Sequence, residues 1–377
     1  MRVLIDYRPA LRERTGVGEY THQLVKALAG TIDPGTLDLT IFSSSWRDRL
    51  ELGESGLEGV RAVDRRVPVR VLNFAWHRFG WPTAEVLTRQ SFDVTHSLHP
   101  LLLPSRTAAQ VITIHDLSFL ESPDPSRPDV RRDYPALALD HARRADRVIV
   151  VSQYVAGEVV RQLNVPAAKV VVCSPGAPDW PARASSPAAG YILFVGTLEP
   201  RKNVAALLDA YERLLSRPDR QGELPELVLV GKATPSSAAW LERIGRPPLR
   251  GAVRHLGYVE NDRRRALYEG ARVLVLPSFE EGFGLPVLEA MTVGVPVIAA
   301  RRGALPEILG GAGSLIDPKD PDEIAAAIDR VLADEAFAAH CTEKGLARSR
   351  EFRWDATAAR VVDAYRAAIE HRRCASA

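Results

Sequence analysis

The stretch RVLVLPSFEEGFGLPVLEAM, residues 272–291, decides the fold class of this chain. It begins with Arg272 to Leu276, a short run rich in valine and leucine that is typical of a parallel strand buried on both faces. A loop with Gly282 and Gly284 follows, and Pro286 suits the first turn of a helix. The stretch therefore predicts a strand, a loop and a helix, which together form the repeating unit of an α/β protein.

Similar units recur on both sides of this stretch. We predict strands at Arg2 to Asp6, Leu37 to Phe42, Val111 to Ile114, Arg147 to Val151, Lys169 to Cys173, Tyr191 to Val195, Glu226 to Val230, Val253 to Leu256, Arg272 to Leu276 and Val295 to Ala299. They fall into two series of similar size. The sequence therefore predicts two doubly wound, Rossmann-like sheets, which would leave a cleft lined by strand ends.

The segment between the two series has the composition of a linker. From Ser174 to Gly190, 14 of 17 residues are Pro, Ala, Ser or Gly, too few apolar groups for an element of its own. A helical pattern follows the last strand unit, and it either closes the second domain or crosses back to the first. We therefore expect an N-terminal domain over residues 1–180, a C-terminal domain over 181–354 and a final helix within 355–377.

Composition excludes several classes of protein. With 46% hydrophobic residues and 377 residues in all, the chain can build two cores, which excludes disorder. The balance of 49 Lys and Arg against 47 Asp and Glu lacks the basic excess of a nucleic-acid binder. No apolar run approaches the roughly 18 residues of a membrane span. We expect a soluble, cytoplasmic protein whose dispersed cysteines, Cys173, Cys341 and Cys374, form neither a metal site nor a redox pair.

Two features of the first half point to the predicted cleft. Gly16 and Gly18 precede a helix, where they either let backbone N–H groups approach a phosphate or form a tight turn. Thr21 stands where the dinucleotide fingerprint needs a third glycine, which argues against a nicotinamide cofactor. His115 directly follows a predicted strand, which favours a substrate contact. For His96 and His99 we favour a structural role.

A pair of cations lies at the corresponding position of the second domain. Arg201 and Lys202 follow the strand ending at Val195 and precede a helix. Arginine can bind phosphate oxygens bidentately, and lysine adds a mobile point charge. A solvated helix start is the alternative, but cations there oppose the helix dipole unless an anion is present. The pair therefore predicts a diphosphate site.

Two carboxylates flank the loop of the opening stretch. Glu281 lies before the predicted helix and Glu289 about one turn inside it, and ionised carboxylates accept hydrogen bonds from sugar hydroxyls. A glycosidase also uses two carboxylates, but that chemistry leaves Arg201 and Lys202 without a role. The backbone of the loop and helix start can hold a phosphate, and the candidate residues there are Gly282, Phe283, Gly284 and Leu285.

In this order, these motifs resemble the family-4 retaining glycosyltransferases of GT-B fold. The matching segments are Gly16-Val17-Gly18, His115-Asp116-Leu117, Glu199-Pro200-Arg201-Lys202-Asn203, Glu281 to Glu289, and Gly303-Ala304-Leu305-Pro306-Glu307.

The resemblance implies a role for each matched residue. Glu289 would hold the donor ribose, Glu281 the transferred sugar, and Arg201 and Lys202 the diphosphate. Gly16 would approach that diphosphate from the other domain, and His115 would contact the sugar near its reacting carbon.

The resemblance also implies a reaction without metal or cofactor. The one Asp-x-Asp, Asp320-Pro321-Asp322, is interpreted as a helix cap. The implied reaction moves a hexose from a nucleotide sugar to a saccharide or lipid-linked saccharide in polysaccharide biosynthesis. Because residues 114–120 look most like bacterial mannosyltransferases, GDP-mannose is the first donor to test. A GT-B epimerase or phosphorylase, and a non-catalytic nucleotide-sugar binding protein, remain alternatives.

Basic and aromatic residues interleave from Arg65 to Trp81. This pattern favours peripheral contact with an anionic lipid surface at the inner membrane face, contact with an acceptor, or a helix with one core face and one solvated face. All three interpretations remain open from the sequence.

Overall fold

The computed structural model describes residues 1–11, 14, 16–31, 33, 35–46, 48–50, 52, 56–57, 59–121, 128–217 and 223–376. The chain divides into two compact units. Met1–Gly176 and Arg353–Ala377 form the first, and Ala177–Phe352 form the second. No described helix is both long and apolar enough to cross a bilayer.

The first unit is built on a seven-stranded parallel sheet with the order β3-β2-β1-β4-β5-β6-β7. Its strands are β1 Arg2–Asp6, β2 Asp38–Ser44, β3 Arg61–Arg65, β4 Val94–Ser97, β5 Ala109–Ile114, β6 Arg147–Val150 and β7 Val170–Val172. Its first six helices are α1 Val17–Thr31, α2 Val69–Phe79, α3 Ala84–Thr88, α4 Ser118–Glu121, α5 Pro128–Arg144 and α6 Gln153–Leu163.

The second unit repeats this plan with a six-stranded parallel sheet of order β10-β9-β8-β11-β12-β13. Its strands are β8 Tyr191–Val195, β9 Leu227–Val230, β10 Val253–His255, β11 Ala271–Leu276, β12 Val297–Ala300 and β13 Ser314–Ile316. Its helices are α7 Val204–Leu215, α8 Ala238–Ile244, α9 Asn261–Glu269, α10 Leu285–Val293, α11 Leu305–Leu309, α12 Pro321–Ala333 and α13 Glu335–Ser349.

The last helix, α14 Trp354–Ser376, belongs to the first unit, where it packs on α1 and on strands β5 and β6. The Tyr365 hydroxyl lies 2.7 Å from His96 Nδ1, and Thr357 Oγ1 donates a hydrogen bond to the Ser174 carbonyl. The C-terminal segment therefore completes the core of the unit in which the chain begins.

The prediction of two doubly wound Rossmann-like sheets is confirmed, because in each the strand order reverses beside the first strand of the unit. Each predicted strand has a counterpart, but β3, β4 and β13 were missed. The outermost strands β3 and β13 are short, and β3 carries charged residues on its exposed side. The central strand β4 contains Thr95 and His96, whose side-chain hydrogen bonds allow their burial.

The predicted linker has neither helix nor strand, and from Ala177 onward it belongs to the second unit. The Arg183 amide donates to the Val293 carbonyl at 3.0 Å, and the Trp180 ring centroid is 5.9 Å from that of Tyr268. Composition alone could not show these contacts, because they depend on residues far along the chain.

Candidate active site

The second sheet reverses its strand order between β8 and β11, and the candidate donor residues follow these two strands. From β8 the chain passes through a 3₁₀ turn, Pro200–Lys202, into α7, and from β11 it passes through Pro277–Gly284 into α10. The two strands are parallel neighbours, so both loops lie at the same edge of the sheet. They diverge there, which leaves the crevice in which open α/β sheets bind ligands.

A buried ion pair joins the two loops. Lys202 Nζ lies 2.5 Å from Glu281 Oε1, and the two residues are only 7% and 6% exposed. The buried Ser278 hydroxyl donates to the same carboxylate oxygen at 2.8 Å. These charge-assisted bonds hold the ammonium group at the crevice.

Arg201 is held beside this pair. Its Nε is 2.7 Å from Glu199 Oε1, its Nη1 donates to the Glu280 carbonyl at 3.2 Å, and Nη1 is 3.7 Å from Glu281 Oε2. Both cations therefore already face carboxylates. Glu199 and Glu281 supply this negative charge from within the chain, and the diphosphate site stays a prediction.

Asn203 fixes the spacing between the loops, and sequence reasoning assigned it no role. Its backbone is left-handed, with φ 56°, a conformation that asparagine tolerates better than most residues. Its side-chain amide donates to the carbonyls of Pro277, at 3.1 Å, and Pro318, at 2.6 Å.

The start of α10 can bind an anion. Gly284 has φ +96°, and a Cβ there would lie 2.7 Å from a methyl carbon of Leu305. Among the described residues, the amides of Gly284 and Leu285 have no acceptor, and Pro286 has no amide hydrogen. Just before them, Gly282 and Phe283 are buried. The helix start therefore presents two free N–H groups with the positive end of its dipole.

Glu289 lies inside α10 and uses different partners. Its Oε2 accepts a hydrogen bond from the Tyr268 hydroxyl at 2.6 Å, and its Oε1 is 3.0 Å from Arg264 Nη2. Trp180 packs beside both partners. Burial, reinforced by the negative charge of Glu289, raises the pKa of Tyr268 well above its usual value, so Tyr268 remains a hydrogen-bond donor. The sequence did not reveal that Tyr268, Arg264 and Trp180 support Glu289, because these residues come from distant segments of the chain.

In the first unit, His115 lies beside the helix that carries the paired glycines. Gly16 has φ +48° just before α1, and Gly18 is buried in the first turn. The ring of Tyr20, one turn further on, meets the ring of His115 edge-on at 4.8 Å. The structure therefore brings Gly16, Gly18 and His115 to one edge of the first sheet, while Arg201, Lys202, Glu281–Leu285 and Glu289 meet in the second unit.

The imidazole of His115 is neutral near pH 7. Burial is the main cause that lowers its pKa, to about 4. Its Nε2 lies 3.2 Å from the Leu98 carbonyl, which can only accept, so Nε2 carries the hydrogen. His115 Nδ1 is then an acceptor for a hydroxyl group.

A second buried cluster lies at the end of β1, and sequence reasoning did not identify it. Arg8 Nε and Nη2 lie 2.8 and 2.6 Å from the Asp6 carboxylate, and His99 Nε2 is 3.2 Å from it. Burial alone would raise the pKa of Asp6, but Arg8 and His99 hold it well below its usual value. The available signal was a carboxylate ending an apolar strand, two residues before an arginine.

The remaining candidates from the sequence have structural surroundings. His96 is fully buried between Tyr365 and Thr113, with ring-to-hydroxyl distances of 2.7 and 2.8 Å. Asp320 caps α12, since its carboxylate accepts from the amides of Asp322 and Glu323.

Comparison with known proteins matches both halves of the chain. A family model described as "Glycosyltransferase Family 4" matches residues 14–179, and one described as "Glycosyl transferases group 1" matches residues 189–334. O-antigen chain mannosyltransferase B of Escherichia coli is 31% identical, over 97% of this chain and 100% of that protein.

Two solved structures show a similar fold. Sucrose-phosphate synthase from Thermosynechococcus elongatus aligns with a TM-score of 0.76 at 22% identity, over 97% of this chain and 98% of that one. Anabaena HepE, in complex with UDP and glucose, aligns with a TM-score of 0.69 at 18% identity, over 96% and 98% of the two chains.

Proposed function

The chain belongs to glycosyltransferase family 4, and from that premise we propose that it moves a hexose from a nucleotide sugar to a saccharide or lipid-linked saccharide acceptor. Its two Rossmann-like domains have the GT-B fold. The observation that carries the proposal is the arrangement at the β8/β11 crevice, where Arg201 and Lys202 lie beside Glu281 and the start of α10.

We propose that the donor diphosphate binds at this crevice. The free amides of Gly284 and Leu285 and the guanidinium of Arg201 hold its oxygens. Lys202 Nζ carries three hydrogens, and the bond to Glu281 uses one of them. The same ammonium group can therefore also donate to a phosphate oxygen. The ion pair thereby holds the Lys202 ammonium group at the crevice before the donor binds.

We propose that Glu281 and Glu289 accept hydrogen bonds from hydroxyl groups of the donor. Glu289 accepts hydrogen bonds from the ribose, and its orientation depends on Tyr268 and Arg264. Glu281 accepts hydrogen bonds from the transferred sugar, chiefly through Oε2, since Lys202 and Ser278 both occupy Oε1. For His115 we propose a contact with a sugar hydroxyl group, from which its neutral Nδ1 accepts a hydrogen bond.

The chemical step follows from the charges. The bond between the anomeric carbon and the diphosphate oxygen breaks, and its electron pair leaves with the diphosphate. Arg201, Lys202 and the two amides stabilise the negative charge that develops there, without requiring a metal ion. The acceptor hydroxyl attacks from the same face, and its proton passes to the departing phosphate oxygen. The configuration is then retained without a protein nucleophile.

We propose GDP-mannose as the donor, because a mannosyltransferase is 31% identical over nearly the whole chain. The name of that relative also supports an acceptor of the O-antigen class, in polysaccharide biosynthesis. Since HepE was solved with UDP and glucose, UDP-glucose is the competing donor to include.

The test is a product assay across GDP-, UDP- and dTDP-sugars with mannosylated acceptors, analysed by mass spectrometry. A glycosylated acceptor and free nucleoside diphosphate are expected with GDP-mannose. An altered nucleotide sugar without acceptor would indicate an epimerase, and turnover dependent on inorganic phosphate would indicate a phosphorylase. Calorimetric donor binding without any product would indicate a binding protein.

A further inference from the structure

The outward face of α2 has an unusual composition. Its inward residues Leu72 and Trp76 are buried in the core of the first unit. On the opposite side, Phe74 is 65% exposed. At the C-terminal end of the helix Phe79 is 69% exposed, and just after it Trp81 is 56% exposed. A helix with one core face and one solvated face explains the buried pair, but it leaves these aromatic rings unexplained.

Three exposed arginines lie in the same stretch of sequence as these rings. Arg66, Arg70 and Arg78 are exposed, and none has a carboxylate partner in the described part of the chain. No acidic residue occurs between Asp64 and Glu85. A chain with a net charge of only +2 therefore concentrates positive charge on this helix.

The helix geometry brings both kinds of side chain to one surface. Arg70, Phe74 and Arg78 are spaced four residues apart, so they lie along one stripe of α2. The rings of Phe74 and Phe79 meet edge-on at 6.0 Å. We define the α2 patch as Arg70, Val71, Phe74, Arg78, Phe79 and Trp81.

A cavity of about 360 Å³ opens beside the C-terminal end of the patch, next to Phe79. Arg78 and Arg144 contribute charge to its lining, Arg144 being paired with Asp140 at 2.9 Å, and His77 and His141 also line it. Both histidines are neutral near pH 7, because burial is the main cause that lowers their pKa, to about 4. The cavity therefore offers arginine, rather than imidazolium, to an anion.

We propose that the α2 patch docks on the surface of an anionic phospholipid bilayer. Exposed Phe and Trp favour the headgroup level, and arginines can reach lipid phosphates while their alkyl stems remain in the apolar layer. A second copy of this chain fits less well, because a symmetric contact would set unpaired arginines against each other.

The test is co-sedimentation with vesicles of phosphatidylglycerol and phosphatidylcholine, compared with vesicles of phosphatidylcholine alone. The wild-type protein should sediment with the anionic vesicles at low salt and be released as salt rises. Arg70→Gln with Arg78→Gln should weaken binding on the order of 30-fold, from two arginines each contributing about a factor of five. Phe74→Ser with Phe79→Ser should abolish sedimentation.

A matched control and a spectroscopic readout separate docking from misfolding. Arg250→Gln with Arg350→Gln removes two exposed arginines from the second unit and should leave vesicle binding unchanged. The double variant Phe74→Ser with Phe79→Ser should retain donor turnover with a water-soluble acceptor. On anionic vesicles the tryptophan emission should shift to the blue, and Trp81→Phe should reduce that shift.

Three outcomes would overturn the proposal. One is a wild-type protein that remains in the supernatant with anionic vesicles at low salt. Another is equal sedimentation of the wild-type and patch variants. The last is a dimeric wild-type protein in solution together with a monomeric Phe74→Ser, Phe79→Ser double variant, which would assign the patch to a second copy.

Discussion

Lys202 and Glu281 form the buried pair on which the proposed chemistry depends. Removing the ammonium group takes away a donor that acts on developing charge, so Lys202→Ala should lower kcat by about 10²–10³-fold. Steady-state donor turnover measures the effect. If kcat stayed within a factor of two of the wild type, Lys202 would have no role in charge stabilisation.

The same pair predicts an effect on stability. Lys202→Ala or Glu281→Ala alone leaves one buried charge without its partner, at a cost of about 3–5 kcal/mol in the free energy of unfolding. The double substitution should cost less than the sum of the two single ones, because no unpaired charge remains. A double-mutant cycle from urea unfolding measures this, and additive costs would mean that the two charges do not interact.

Glu289 should act on donor binding rather than on the chemical step. Glu289→Ala should raise KM for the donor at least tenfold with a smaller change in kcat, since the ribose bonds are made in both ground and transition states. Tyr268→Phe, which removes only the supporting hydroxyl, should have the same effect more weakly. A donor with a 2′,3′-dideoxyribose should bind both wild type and Glu289→Ala equally poorly. Its tight binding to the wild type would contradict the assignment.

At the residue scale, the sequence predicted which side chains gather but not what holds them. Arg201, Lys202 and Glu281 are recognisable because cations and a carboxylate directly follow apolar strands. Ser278, which donates to Glu281, and Asn203, which bonds the loop backbone, carry no signal of their own. The ion pair also could not be foreseen, because it joins positions 79 residues apart through the adjacency of β8 and β11.

At the element scale, the backbone of Gly303 packs closely against the backbone of the site residue Glu281. A Cβ there would lie 2.6 Å from the Glu281 carbonyl oxygen, and the residue has φ +60°. Gly303→Ala should cost about 1–2 kcal/mol for the left-handed backbone and about 1–3 kcal/mol more for the displaced Glu281 backbone. It should also lower kcat, because the carboxylate moves with the loop.

Gly311→Ala is the matched control for this substitution. Gly311 also has a positive φ, +82°, but a Cβ there meets no atom within 4 Å. Only the backbone cost should therefore remain, and kcat should not change. Chemical denaturation and turnover compare the two variants, and equal effects would show that contact with Glu281 is unimportant.

The strands were predictable from the sequence where burial on both faces of the sheet requires a run of apolar residues. Strands such as Arg2–Asp6 and Tyr191–Val195 are read directly from their valine, leucine and isoleucine content. Strand β4 was missed because it contains the polar residue His96, whose ring is hydrogen-bonded by Tyr365 and Thr113 from other elements. Polar residues in a central strand are visible only once the tertiary structure supplies their partners.

At the scale of the whole molecule, the first unit should weaken before the second as pH falls. Burial is the main cause that lowers the pKa of five histidines there, to about 4 for His22, His77, His115 and His141 and to about 3 for His96. The unfolded chain, with histidine pKa near 6.5, binds protons that the folded unit excludes. The free energy of unfolding should therefore fall as pH drops from about 6.5 to about 4.

Hydrogen exchange followed by mass spectrometry localises this effect. Each histidine contributes at most about 1.4 kcal/mol per pH unit within the window. Peptides from the first unit, after correction for intrinsic exchange, should lose protection more steeply with falling pH than those from the second unit, which is the internal reference. An equal loss in both units would contradict the prediction.

The charge balance of the whole chain takes on a different meaning in the structure. The net charge of +2 conceals two local clusters of positive charge, one at Arg201 and Lys202 and another on α2. The first faces carboxylates at the crevice, whereas the second has none among the described residues. A single sum over the chain could not distinguish them, because the pairing of charges is a property of the fold.

The central claim is that this glycosyltransferase uses the β8/β11 crevice to stabilise a departing nucleoside diphosphate. The most direct measurement is single-turnover transfer from GDP-mannose, followed by mass spectrometry, for the wild type, Lys202→Ala and the exposed control Lys344→Ala. We expect mannosylated acceptor and GDP with the wild type and Lys344→Ala, and a rate lower by about 10²–10³-fold with Lys202→Ala. Equal rates for all three proteins would contradict the account.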